Sequence, residues 1–340
     1  MTHNGLPEKI CVCGGGSLGI VCASVFLAQG ISVSLLTGHP GSWHKDISVS
    51  DPDGKIYAGR LSCISSDPEV ALSGAEMVLL CLPGYLIEDT LRSIKPWLAA
   101  DTLVGAIVSS TGFFFAAHRT LDPGTPLFGF QRVPYIARYD KYGSTGRLLG
   151  YKPLLKVAVE NADRESVRLM LQRLFSTPVE LLNNFYEASL TNSNPLLHTS
   201  RLYSMWGAYT GEICPRQTLF YAEWTDDASE LLTAMDSEFM ALTADLGISR
   251  EAIPSILEYY GQPDAHALTL KIRSIPAFAT ILSPMKPCGD GWVPDFGSRY
   301  FTEDFPFGLR LIADLARSRS LPTPVIDRVL AWGLTRPNDC

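Results

Sequence analysis

The stretch Cys13-Gly14-Gly15-Gly16-Ser17-Leu18-Gly19 constrains this chain more than any other. It follows an apolar run, residues 10–13, and opens a segment in which Leu18, Val21, Cys22 and Val25 recur at helical spacing. Gly30 is placed to end that helix, and Ile31, Val33 and Leu35 then alternate as a second strand. Strand, glycine turn, helix and strand in that order begin a parallel α/β sheet. Each glycine has a physical use there. Gly14 permits the tight turn, Gly16 lets the backbone approach a pyrophosphate, and Gly19 lets the helix pack closely on the strand. The N–H groups at the start of the helix then face phosphate charge. Gly14, Gly15, Gly16, Ser17, Leu18 and Gly19 are therefore read as a dinucleotide-binding turn on an amphipathic helix. A glycine-rich turn before any buried helix is the bland alternative.

The pattern continues downstream. Segments 47–50 and 55–57 flank Asp51-Pro52-Asp53-Gly54 and read as a hairpin. Asp67-Pro68 reads as the cap and first residue of a short helix. Residues 77–82 form a continuous apolar run, as expected of a parallel strand buried on both faces. Pro83-Gly84 ends it and a helix to about residue 94 follows. Residues 103–108 read as the next strand, with Ser109-Ser110-Thr111-Gly112 at its end. Ligands of doubly wound sheets sit at such carboxyl ends, so the loops at Pro83 and Ser109 are expected to face the nicotinamide half of the cofactor. Further strands are predicted at 126–130, 154–159 and 179–182. Near residue 185 the pattern turns helical, with helices predicted at 195–209, 227–245, 250–260 and 306–317. The expected division is 1–186 and 187–340, an α/β unit followed by an all-α one.

Composition narrows the class. A chain of 340 residues, 46% hydrophobic and 19% charged, is an ordinary globular protein of more than one core. Its net charge of −7 argues against a nucleic-acid or anionic-membrane partner. The segment 1–9 is polar and lacks the apolar core of a signal peptide, and no apolar run is long enough to span a bilayer. The eight cysteines lack metal-knuckle spacing and read as thiols in a reducing cytoplasm. No metal is expected.

The second strand ends at Thr37, where NAD-preferring enzymes usually carry a carboxylate for the ribose hydroxyls. The expected cofactor is therefore NADP(H) in preference to NAD(H), with His39 or Lys45 as candidates for a 2′-phosphate.

Two stretches carry candidate chemistry. In Asn194-Pro195-Leu196-Leu197-His198, Pro195 at a first helical position and Asn194 as its cap set a helix start. His198 then falls in the first turn, where the dipole disfavours the charged ring, an arrangement suited to acid–base work. A histidine packed under a helix end is the bland reading. In the stretch from Arg299 to Gly308, Arg299 can grip a carboxylate with two parallel hydrogen bonds. Asp304 either caps the last helix or orients a histidine.

The glycine motif, Leu79-Leu80-Cys81-Leu82-Pro83-Gly84, Phe128-Gly129-Phe130-Gln131-Arg132-Val133-Pro134, Asn194-Pro195-Leu196-Leu197-His198 and Arg299-Tyr300-Phe301-Thr302-Glu303-Asp304-Phe305-Pro306-Phe307-Gly308 occur in this order. Together they resemble the opine dehydrogenases, the octopine and nopaline dehydrogenase family, over nearly the whole chain. The resemblance implies a Rossmann domain, a helical domain and an active site between them. It implies reductive condensation of an α-keto acid with the amino group of an amino acid. It places a catalytic group on His198, Arg299 and Asp304, and Asn194 becomes a candidate for holding substrate. Reductases of free keto acids, such as the ketopantoate and glycerol-phosphate dehydrogenases, rely on a lysine that has no matching motif here. A cofactor-binding sensor without turnover is the other alternative. A monomer or homodimer is expected.

Overall fold

The computed structural model describes residues 5–336. Within it the chain divides into two compact units between Ser189 and Leu190. Cys340 and the first four residues of the polar N-terminal segment lie outside the described residues.

The strands of the first unit are β1 (Lys9–Cys13), β2 (Ser32–Leu36), β3 (Asp46–Ser50), β4 (Ile56–Arg60), β5 (Cys63–Ser65), β6 (Met77–Leu80), β7 (Leu103–Ile107), β8 (Leu127–Phe130), β9 (Tyr135–Lys141), β10 (Thr145–Tyr151), β11 (Leu155–Glu160) and β12 (Val179–Leu181). Its helices are α1 (Ser17–Leu27), α2 (Pro68–Leu72), α3 (Gly84–Ile94), α4 (Phe113–Thr120), α5 (Arg164–Phe175) and α6 (Phe185–Ser189). The main sheet has the order β12-β11-β8-β7-β6-β1-β2-β5. It is parallel from β5 to β8, and β11 runs antiparallel to β8. This is the doubly wound Rossmann arrangement. The chain runs from β1 outward to β2, then returns to β6 on the other side of β1. The crevice at the carboxyl ends of β1 and β6 is thus the switch point where such sheets bind ligands. Both strands are as apolar as their position demands: Ile10 to Cys13 and Met77 to Leu80 are all buried.

One expectation needs correction. Helix α1 is not amphipathic, for every residue from Gly19 to Phe26 is buried. A second sheet, β4-β3-β10-β9, covers the face that would otherwise meet water. A helix apolar all round is one held on both sides, and the side missing from the sequence reading was the β9–β10 hairpin.

The second unit holds α7 (Asn194–Trp206), α8 (Asp226–Asp245), α9 (Ile256–Tyr260), α10 (Ala265–Arg273), α11 (Arg310–Ser318) and α12 (Pro324–Leu334). It also carries a small hairpin, β13 (Met285–Cys288) and β14 (Gly291–Pro294). The helix expected over 250–260 is only Ile256–Tyr260, because Ser255 and Glu258 form a capping box after Pro254. The one expected over 306–317 begins earlier, as a π-helical segment, Tyr300–Leu309, that contains Pro306 and leads into α11. A proline ring clashes with the carbonyl four residues back, and a wider turn relieves that clash.

Candidate active site

The glycine turn closes on backbone, not on side chains. Gly14 has φ +115°, and a Cβ there would lie 2.5 Å from the Cys81 carbonyl oxygen. A Cβ on Gly19 would lie 2.0 Å from the Gly14 oxygen. Only glycine fits either place. Gly16 is the opposite case: it is exposed, precedes α1 as its cap residue, and a Cβ there would meet nothing within 4 Å. The first turn of α1 therefore presents its N–H groups beside open space, as an anion site requires.

That space is a cavity of about 670 Å³. Cys13 to Gly16, Leu36 to His39 and Cys81 to Pro83 line it, so the ends of β1, β2 and β6 all contribute. Thr37, Gly15 and Pro83 are among these lining residues, whereas Ser17 and Leu18 are not. The Ser17 hydroxyl accepts from the Tyr139 N–H, and the Leu18 side chain packs on the core, so neither side chain is turned to the cavity. Ser109 is buried and does not line this cavity. His39 lines it and Lys45 does not. Among the described residues no Asp or Glu lines it. The Cys13 thiol at its floor is pushed up, first by its hydrogen bond with Cys11 and then by burial, and so is uncharged.

Around Gly15 three polar atoms converge. The point a Cβ would take is 2.9 Å from Thr37 Oγ1, 2.9 Å from Trp43 Nε1 and 3.1 Å from Tyr142 OH. Trp43 Nε1 is buried and has no hydrogen-bond partner among the described residues. Backbone turn, open Gly16, uncharged walls and polar rim together fit a dinucleotide.

The second unit assembles side chains instead. Helix α7 opens at Asn194, with Ser193 as its cap residue and no side-chain cap bond. This corrects the reading of Asn194 as the cap. Asn194 is the first helical residue and exposed, and its N–H donates to Asn192 Oδ1 at 3.2 Å. Pro195 follows, and His198 lies on the next turn, its side chain 12% exposed. The π-helical segment packs on this end of α7 because Gly308 has no side chain: a Cβ there would lie 2.5 Å from Pro195 Cγ. That approach brings Asp304 to His198. The Nδ1–H of the imidazole donates to Asp304 Oδ2 at 2.8 Å.

Tyr221 completes the group, its hydroxyl 2.8 Å from His198 Nε2 and hydrogen-bonded to it. Burial pushes the Tyr221 phenol above its usual range, followed by the nearby Tyr300, Tyr260 and Asp304. It therefore stays protonated and able to donate. The ring of His198 also meets Tyr300 edge-on, with centroids 4.8 Å apart. Arg299 precedes the π-helical segment and is exposed, and among the described residues its guanidinium has no hydrogen-bond or ion-pair partner. A guanidinium without a protein partner can grip a carboxylate with two parallel hydrogen bonds. The Glu223 carboxylate, two residues after Tyr221, holds Arg216 through two 2.8 Å bonds, which lower it to about 2.

Residues 181–335 match the model of the NAD/NADP octopine/nopaline dehydrogenase alpha-helical domain. The chain belongs to the octopine and nopaline dehydrogenase family. It is 27% identical to octopine dehydrogenase of Mizuhopecten yessoensis, over 95% of this chain and 88% of that one. It is 30% identical to an uncharacterised protein of Sinorhizobium fredii, over 95% and 93%. Its fold matches a structure of octopine dehydrogenase with NADH and L-arginine at a TM-score of 0.83 and 26% identity, covering 96% of this chain and 88% of that chain. As a member of this family the chain is an oxidoreductase of the opine-dehydrogenase type. Its N-terminal Rossmann unit and helical C-terminal unit are the family's fold. Sequence reasoning missed Tyr221. No motif announces a lone tyrosine in a loop, although Arg201, three residues after His198 on α7, is an unusual charge among buried neighbours.

Proposed function

We propose that this chain condenses an α-keto acid with the amino group of an amino acid and reduces the resulting imine to a secondary amine. The Asp304–His198 hydrogen bond carries the reading. A carboxylate on Nδ1 fixes the tautomer and steadies the imidazolium that forms when Nε2 takes a proton. The incoming amine arrives as an ammonium and must lose a proton before its nitrogen can attack the keto carbon. His198 takes that proton, then returns it as the hydroxyl of the adduct leaves as water. Arg299 grips a substrate carboxylate, which orients the keto carbon. Asn194 holds a substrate oxygen near the start of α7. A nicotinamide cofactor, when bound, supplies the hydride for the imine carbon.

The cofactor is held by Gly14, Gly15 and Gly16, by the N–H groups of Ser17, Leu18 and Gly19, and by Thr37 and Pro83. We place NADP(H) above NAD(H). What supports this is the neutral Thr37 at the end of β2 and a cavity with no carboxylate on its walls. The residues up to about 186 form the cofactor domain and those from 187 the catalytic one. We place the enzyme in the cytoplasm as a monomer or homodimer. The described cysteines are all free thiols, and no described helix is long and apolar enough to cross a membrane. Cofactor oxidation, measured with each substrate class alone and with both, tests the reading.

A further inference from the structure

In this structure both nitrogens of the His198 ring have a protein partner. A carboxylate only accepts, so Nδ1 carries the hydrogen that bonds Asp304, and Nε2 is left with a lone pair. A phenol that remains protonated then donates to that lone pair. His198 can take a proton from a substrate only if one of these bonds changes partner. The Asp304 bond is the one an imidazolium needs, so the Tyr221 bond is the one to be exchanged.

We propose that Tyr221 is a positioning residue for the reaction argued above: it holds the ring of His198, in the Nδ1–H tautomer that Asp304 fixes, with the Nε2 lone pair presented, and gives up Nε2 when the amine arrives. This inference rests on that reading of the function for its kinetic consequences, but not for the tautomer.

The phenol is held for this task. Tyr221 is 5% exposed. Its ring stacks on Phe278, with centroids 4.3 Å apart, and lies parallel to Trp224 at 6.1 Å. The loop that carries it is pinned from α7 itself. Arg201 Nε donates to the Phe220 carbonyl at 3.0 Å, and its Nη2 to the Glu223 carbonyl at 2.6 Å. Burial lowers this guanidinium to about 10, which leaves it charged at neutral pH. The Glu223 carboxylate accepts from the Leu219 N–H at 2.9 Å, and the Phe220 N–H donates to the Ile281 carbonyl at 2.8 Å. One helix thus carries the imidazole and, one turn later, the arginine that fixes the loop of its partner.

Nitrogen-15 spectra of the histidine-labelled full chain, with His198 assigned by difference from His198→Ala, test the tautomer. The wild-type ring should show a protonated Nδ1 and an unprotonated, hydrogen-bonded Nε2. Tyr221→Phe keeps the ring stacks and removes only the hydroxyl. It should keep the Nδ1–H tautomer that Asp304 fixes, move the Nε2 resonance to that of a lone pair without a hydrogen bond, and lose about 10-fold in kcat, the scale of one hydrogen bond. KM for the amino acid should not rise, because a competitor for Nε2 is gone. A wild-type Nε2–H tautomer would overturn the proposal. So would a Tyr221→Phe enzyme with unchanged Nε2 resonance and kcat, or one with raised KM and unchanged kcat, which would make Tyr221 a mere pocket wall. If Tyr221→Phe does not fold, the wild-type spectrum decides alone. If no pair of keto acid and amino acid is turned over, the function argued above fails, and the spectrum still decides the role of Tyr221.

Discussion

In the first unit the working surface is made of what glycine lacks: Gly14 and Gly19 let backbone meet backbone, and Gly16 leaves space open. In the second it is made of side chains on separate segments, with His198 and Asp304 106 residues apart. The first arrangement needs only local geometry and the start of one helix. The second depends on a close approach between α7 and the π-helical segment, and hence on Gly308 and Pro195. A site of the first kind is written in six consecutive residues, whereas one of the second kind exists only once the unit has folded. The two should also fail differently, which gives ways to test the contrast.

The largest effect is expected at the side-chain site. His198→Ala should lose roughly 10²–10⁴-fold in kcat, the range for a positioned general acid–base. Asp304→Asn should reproduce much of this loss, and the double variant should fall far short of the product of the two, since the pair acts as a unit. Cofactor affinity, read by calorimetry on the same preparations, should stay within about twofold of wild type, since substitutions in the helical unit leave the glycine turn untouched.

Next in size is the backbone site. Gly16→Val places a side chain where a Cβ meets no protein atom, so thermal unfolding should be nearly unchanged. Cofactor affinity should fall by about 10²-fold, the scale of two hydrogen bonds to a charged group. Unfolding of the variant, or unchanged affinity, would mean that the open space is not the phosphate site.

Much of this contrast was legible in the sequence. The β1–α1–β2 order and the buried run of β6 could be read because each element repeats a local period. The hairpin of β9 and β10 could not, because exposed Ile136, Tyr139 and Leu149 blur the alternation that a half-buried sheet should show. Helix α5 had a signal that went unused: Asp163 caps it, and Val167, Met170, Leu171 and Leu174 are buried at helical spacing. Ser193, Asn192 and Asn194 are all good caps, and composition alone does not choose among them. Asp304 was open between cap and histidine partner because no local rule links it to residue 198, and the choice follows from the packing of Gly308 on Pro195. Tyr221 had no local signal at all.

A smaller effect sharpens the cofactor side. Thr37→Asp should shift preference from NADPH toward NADH by roughly 10-fold, through repulsion of the 2′-phosphate. Competition between the two cofactors measures it, and a wild-type enzyme that uses NADH and ignores NADPH would overturn the preference argued for Thr37.

The central claim is that the helical unit condenses two substrates before reduction. Initial rates of NADPH or NADH oxidation, with an amino acid alone, an α-keto acid alone and both together, test it most directly. The account predicts oxidation only when both are present, with a secondary amine as the product by mass. Equal rates with the keto acid alone, and a 2-hydroxy acid as the product, would contradict it.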